Sequence, residues 1–190
     1  TDVTVLQQQE EASRFFEAHT FSDDSQGFIL IFWYEDRRRR KVEGMNFLLD
    51  YNPPWEGAVK DAMFIPAGPP DRIVQTHLGF WKQRGLPLRS LDAIQAKEHI
   101  VRHLLINRRE KIRLPRDLVI SRKTFLENVL TLPDGERTPR FTMQDFDELS
   151  RAGKSPEAIS RYEQTVGRTV RLPDGKEVLI GADIIEDDRL

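Results

Sequence analysis

The stretch FILIFWY, residues 28–34, is seven apolar or aromatic residues in a row. Aromatic and β-branched side chains at this density read as a strand, and the lack of polar alternation means that both its faces are covered. Residues 42–51, VEGMNFLLDY, read as the return strand. The connection between them, residues 35–41, is EDRRRRK, charged throughout. Together they make a β-hairpin whose tip carries Arg37, Arg38, Arg39, Arg40 and Lys41.

Proline and glycine punctuate the chain after the hairpin. Asn52-Pro53-Pro54-Trp55-Glu56-Gly57 cannot continue a strand, because two prolines remove two donors and set two φ angles. Residues 62–65 are a short strand candidate, residues 66–71 a second breaker, and residues 72–77 a further strand candidate. Up to four strands therefore precede residue 80. Before the hairpin, Val5, Leu6, Ala12, Phe15 and Phe16 form an apolar stripe that predicts a helix over 5–18, with a polar loop over 19–26.

Residues 91–109 hold the clearest helical pattern, with Ser90 as N-cap and Ala93, Ile94, Ile100, Val101, Leu104 and Leu105 on one broad face. Residues 118–120 read as a short strand, and Ser121 caps a short helix over 122–129. Leu-Pro-Asp-Gly occurs twice, at 132–135 and 172–175. Asp-Gly is hairpin chemistry, and the second copy is better flanked, by β-formers at 169–172 and 177–180. Between them, Thr142 with Asp145 forms a capping box, Gly153 suits a helix C-terminus, and Ser155-Pro156-Glu157 restarts a helix.

These elements imply an α+β fold class: an antiparallel sheet packed against one long helix, followed by a small helix-pair plus β-hairpin module. The expected division is 1–123 for the core and 124–190 for the docked module. The chain has 190 residues and no cysteine. Disulfides, thiol catalysis and cysteine-ligated metals are excluded, and a reducing compartment is favoured. No apolar run reaches the roughly 18–20 residues of a membrane span, and TDVTVLQQQEEASRFF lacks signal-peptide character. A cytoplasmic protein is the expectation.

The formal net charge of −2 hides polarity. Residues 1–27 set Asp2, Glu10, Glu11, Glu17, Asp23 and Asp24 against Arg14, while residues 82–123 carry twelve lysines and arginines against Asp92, Glu98, Glu110 and Asp117. Arginine binds phosphate bidentately and keeps its charge. The hairpin tip and a second basic segment, Arg108, Arg109, Lys111, Arg113, Arg116, Arg122 and Lys123, are therefore candidate contacts for a nucleic-acid backbone. The bland readings are a solvated turn for the first and helix-dipole compensation at Arg108 and Arg109 for the second. Trp55 and Trp81 are candidates for stacking on bases, whereas Trp33 belongs to the core.

His99 and His103, spaced i, i+4, with His77 as a third ligand, form a candidate metal set, although the HExxH order is absent. Border histidines with one side packed and one side wet are the ordinary alternative. Asp50, Glu56 and Lys60 lack the spacing of a metal-dependent nuclease. The helix pair has a net acidic second helix, Glu157 to Gln164, which points to an ordinary helical hairpin. No cofactor is implied. The leading expectation is a non-enzymatic, nucleic-acid-associated protein. A structural or adaptor subunit that meets an acidic protein, and a small metal-dependent enzyme around His77, His99 and His103, stand as alternatives.

Overall fold

A computed structural model describes residues 14–166, 168–171, 173 and 175–180. In it, β2 (Gln26–Tyr34) is the middle strand of a five-stranded antiparallel sheet ordered β4-β3-β2-β1-β5. Its neighbours are β1 (Phe15–Ser22) and β3 (Val42–Asp50), with β4 (Ala58–Gly68) and β5 (Arg89–Leu91) at the two edges. The unbroken apolar run of β2 is explained by two buried faces. Ile29, Ile31 and Trp33 pack with Met45 and Phe47 on one side, and Phe28, Leu30 and Phe32 pack with Leu78 on the other. The α+β class and the packing of an antiparallel sheet against a long helix hold.

The helix expected over 5–18 is corrected where it can be followed. Residues 5–13 lie outside the described residues, and Phe15–Ser22 is a strand that pairs with β2, Ala18 opposite Ile31 and Phe21 opposite Phe28. Pairing with an otherwise open side of β2 overrides a short helical stripe. The expected loop over 19–26 shrinks to a turn in which Asp23 Oδ1 accepts from the N–H groups of Ser25 and Gln26, each at 2.7 Å.

The strand expected over 72–77 is helix α1 (Pro70–Gln83). Pro70 starts the helix and Asp71 sits in its first turn. Ile73, Val74, Leu78 and Trp81 recur at helical spacing and cover the Phe28 face of the sheet. Strand β4 is longer than expected and runs through Pro66, which an edge strand tolerates because no neighbour needs its N–H.

The long helix α2 (Ala93–Arg109) begins two residues later than expected. Asp92, not Ser90, is the N-cap, in a reciprocal capping box with Gln95. Ser90 is spent in β5, which pairs with Ala18–Thr20 of β1. Ala96, Ile100, Val101 and Leu104 of α2 are buried against the Ile29 face.

The strand expected over 118–120 is a turn of helix, α3 (Arg116–Ile120). Its β-branched composition misleads, because the turn buries Leu118 and leaves Ile120 70 % exposed. Helix α4 (Arg122–Phe125) follows and runs into a single π-helical turn, Leu126–Leu130. Of the two Leu-Pro-Asp-Gly copies, the second joins β6 (Arg168–Arg171) to β7 (Glu177–Ile180). The first makes no hairpin. Its Asp134 pairs with Lys97 at 2.7 Å, and its Gly135 N–H donates to Thr138 Oγ1 at 2.8 Å.

Helix α5 (Met143–Leu149) carries the expected Thr142–Asp145 capping box, and α6 (Pro156–Val166) starts after Ser155, whose Oγ accepts from the Ala158 N–H at 3.2 Å. The turn between them is laced to residues 111–114. Lys154 N–H donates to the Lys111 carbonyl at 2.9 Å and Arg113 N–H to the Lys154 carbonyl at 2.8 Å. Gly153 is required there. Its φ is +89°, and a Cβ would stand 2.3 Å from the Lys111 oxygen. Phe125, Val129, Leu132, Phe141, Phe146 and Leu149 share one core with the Ile29 face of the sheet.

Candidate nucleic-acid interface

The hairpin tip is organised by its own backbone and by Asp36. Glu35 N–H donates to the Lys41 carbonyl at 3.0 Å, and Asp36 Oδ1 accepts from the Arg38 N–H at 2.9 Å. Arg39 takes a left-handed φ of 53°, and its guanidinium lies 5.2 Å from the centre of the Tyr34 ring. Residues 37–41 are all exposed. Among the described residues, Arg38, Arg40 and Lys41 face no carboxylate. Glu43, a sequence neighbour able to pair with them, instead accepts from Trp33 Nε1 at 2.9 Å.

The second basic segment is arranged differently. Arg108 pairs with Asp145, and Arg122 holds Asp147 through two bonds of 2.7 and 3.0 Å. Arg109 pairs with Glu110 at 2.9 Å and Lys123 with Glu127 at 3.9 Å. Arg113 donates to the Gly153 carbonyl at 3.1 Å. Lys111 and Arg116 are exposed, and their side chains meet no carboxylate among the described residues. The acids that hold Arg108 and Arg122 come from α5, and no spacing in the sequence announces it. Thr142 holds the Asp145 carboxyl below its ordinary range by hydrogen bonding, with Arg108 adding to the effect, and Arg122 does the same for Asp147.

The hairpin tip and the start of the second basic segment, at Arg108 and Arg109, do not converge. The tip lies beyond Val42, at one end of β3. The C-terminal end of α2 lies at the other, where His103 and Asn107 reach Gly57 and Val59 beside the Asp50–Ala58 pair. A nine-residue strand separates those ends by about 26 Å.

Of the two stacking candidates, Trp55 is corrected. It is fully buried with Ala58, Ile112 and Ile159, and its Nε1 donates to Glu163 at 3.2 Å, so no ring face is left for a base. Trp81 is half-buried against Phe28, with ring centres 5.1 Å apart. The exposed aromatic that the sequence does not single out is Phe80, 47 % exposed, with the Arg84 guanidinium 3.9 Å above its ring. Trp33 is core, as expected.

The three-histidine set is also corrected. His77 lies on α1 beside Phe32, with ring centres 6.4 Å apart, on the face of the sheet opposite α2. His99 and His103 lie on α2 with rings 6.4 Å apart. No group of three metal-ligating side chains occurs among the described residues. Burial lowers the pKa of all three histidines. Asp50 and Lys60 do meet, at 2.9 Å, but the ammonium occupies the carboxylate, and Glu56 is exposed in the turn. Among the described residues, no helix is long and apolar enough to cross a membrane.

Compared with known proteins, the chain matches no family model, no curated protein and no solved structure.

Proposed function

We propose that this protein is a non-enzymatic, nucleic-acid-associated module that meets the phosphate backbone with the tip of its β2–β3 hairpin. The observation that carries the reading is the contrast between the two basic segments. Arg108, Arg109, Arg122 and Lys123 are spent on carboxylates, leaving Lys111 and Arg116 as scattered exposed cations, while the adjacent Arg38, Arg40 and Lys41 face no carboxylate among the described residues. Five consecutive cations on a narrow, exposed turn suit the groove or the edge of a nucleic acid. Contacts of this kind place a protein on the backbone without reading bases.

The test is fluorescence anisotropy with labelled single- and double-stranded oligonucleotides at about 50 and about 200 mM salt. Micromolar or tighter binding that collapses with salt is expected. Arg38→Glu with Arg40→Glu should abolish it, and Arg109→Glu with Lys111→Glu, at the far end of the sheet, should leave it nearly intact. No binding at low salt, or equal loss in both double variants, would reject the hairpin tip as the contact.

A further inference from the structure

Arg89 pairs with no acid among the described residues. Among the described residues the one polar contact of its guanidinium is Nε2 of His99. Strand pairing opposite Thr20 places Arg89 on the α2 side of β5, and α2 carries His99 past it and His103 one turn further on. His103 Nδ1 lies 2.7 Å from the Gly57 carbonyl. A carbonyl only accepts, so Nδ1 carries the proton and Nε2 is the bare nitrogen of the neutral ring. Tyr51 packs edge-on against His103, with ring centres 6.1 Å apart, and its hydroxyl is hydrogen-bonded to Ser22.

A guanidinium only donates, so the Nε2 of His99 accepts and has no proton of its own while this contact lasts. Among the described residues, a permanent cation and two neutral imidazoles thus stand together, and the one carboxylate near them, Glu98, is already taken by Arg102. Of the charged groups around His99, Glu98 is held by Arg102 at 2.8 Å, and the others are Arg89 and His103. Protonating either ring would set a second positive charge beside Arg89. An anion placed between Arg89 and His99 reverses that balance. It accepts from the guanidinium fork, and it lets the imidazole take up a proton and donate in turn.

We propose that Arg89, His99 and His103 form a binding site for a phosphate group, either inorganic phosphate or the terminal group of a phosphomonoester. The two imidazole rings lie 6.4 Å apart, centre to centre, a spacing on the scale of one tetrahedral group with charge-assisted hydrogen bonds of about 2.7–2.9 Å on either side. Once the anion lets both rings take up a proton at Nε2, Arg89, His99 and His103 offer donors from two elements to three phosphate oxygens, where a carboxylate offers two. A phosphomonoester also titrates with a second pKa of about 6, close to that of imidazole, so proton and ligand are taken up together. The site is independent of the hairpin tip, and its success or failure leaves the nucleic-acid reading untouched.

The experiment is an NMR titration of the imidazole resonances of the full chain in phosphate-free buffer at neutral pH. The probes are inorganic phosphate, glycerol 3-phosphate, and chloride at matched ionic strength. Saturable shifts at His99 and His103 are expected with a phosphate probe, with His19 and His77 unmoved. Arg89→Gln should weaken the response at least tenfold, and so should His99→Gln, read at His103. A stronger response to the ester assigns the site to esterified phosphate, and a stronger response to the inorganic ion assigns it to free phosphate. No saturable shift in the wild type, the same shift with chloride, or an undiminished response in Arg89→Gln would overturn the proposal.

Discussion

The side-chain amide of Asn107 closes the outer edge of β4 at Val59. Its Oδ1 accepts from the Val59 N–H at 2.8 Å and its Nδ2 donates to the Val59 carbonyl at 3.0 Å. β4 is an edge strand, and at Val59 the buried Asn107 amide imitates the peptide of a missing neighbour. Further along, the Ala62 N–H is taken by the carboxylate of Asp61 at 2.8 Å, and Pro66 has no N–H to offer. These devices deny the edge to a second chain.

Asn107→Ala leaves both backbone groups of Val59 buried and unpaired. The expected loss is about 2–5 kcal/mol of unfolding free energy, from two orphaned groups at about 1–3 kcal/mol each less partial relaxation. Asn107→Asp keeps the acceptor, loses the donor and buries a charge, so it should cost at least as much at neutral pH. Denaturant titration checks both. A loss well under about 1 kcal/mol would mean that water or a shifted chain serves Val59 equally well.

Phe125 lies between Phe47 of the sheet and Phe146 of α5, with ring centres 6.0 and 5.2 Å away. Phe125→Ala should cost about 3–5 kcal/mol, and Phe125→Leu markedly less. If α5 were only loosely applied, the alanine variant would lose its helix signal near residues 143–149 while hydrogen exchange in the sheet stayed protected. The shared core predicts that both are lost together.

The histidines give stability a definite dependence on pH. Burial lowers the folded-state pKa of His77, His99 and His103 below 6.5, with Arg89 adding to the effect at His99 and the Gly57 bond opposing it at His103. The unfolded chain therefore binds more protons as pH falls through that region. Stability should be complete above the unfolded pKa of about 6.5 and fall as pH drops towards the folded values. Each histidine contributes at most about 1.4 kcal/mol per pH unit inside its window. His103→Gln keeps a donor for Gly57 and should flatten the slope between about pH 7 and 5. Asp50 and Asp145 add a separate loss at lower pH. Burial acts to raise the Asp50 pKa, but Lys60 and Asn52 outweigh it, and Thr142 lowers that of Asp145. Urea melts in phosphate-free buffers across this range are the check.

The hairpin tip sets an upper limit on salt dependence. Five cations released against duplex DNA give a slope of log affinity on log salt no steeper than about −4.5. Arg38→Glu alone should reduce its magnitude by at least about 0.9. A slope well beyond that limit would require cations outside residues 37–41.

The elements written in local chemistry were legible in the sequence. The β2–β3 hairpin follows from two apolar runs around a charged septet, and α2 from its apolar face. Helix α5 follows from Thr142 with Asp145, and the second hairpin from Asp-Gly between β-formers. The misreadings share one cause. Ile73-Val74 and Leu118-Val119-Ile120 have strand composition, and Phe15-Phe16 followed by Ala18 has helical spacing. Which state each adopts depends on the surface it covers.

The arginine-tipped hairpin was thus determined by the sequence itself, because the turn and both strands are contiguous and each signal acts over a few residues. The fate of the other charges was decided by tertiary structure. Asp145 and Asp147 reach Arg108 and Arg122 across 37 and 25 residues of chain, and α6 brings Glu163 to Trp55 across 108. β5 is three residues with no strand signal, held by the open side of β1. That pairing, together with α2 packed on the same face, sets Arg89 against His99. Interactions between distant segments depend on which faces the core leaves available, and that is settled only when the sheet and helices pack.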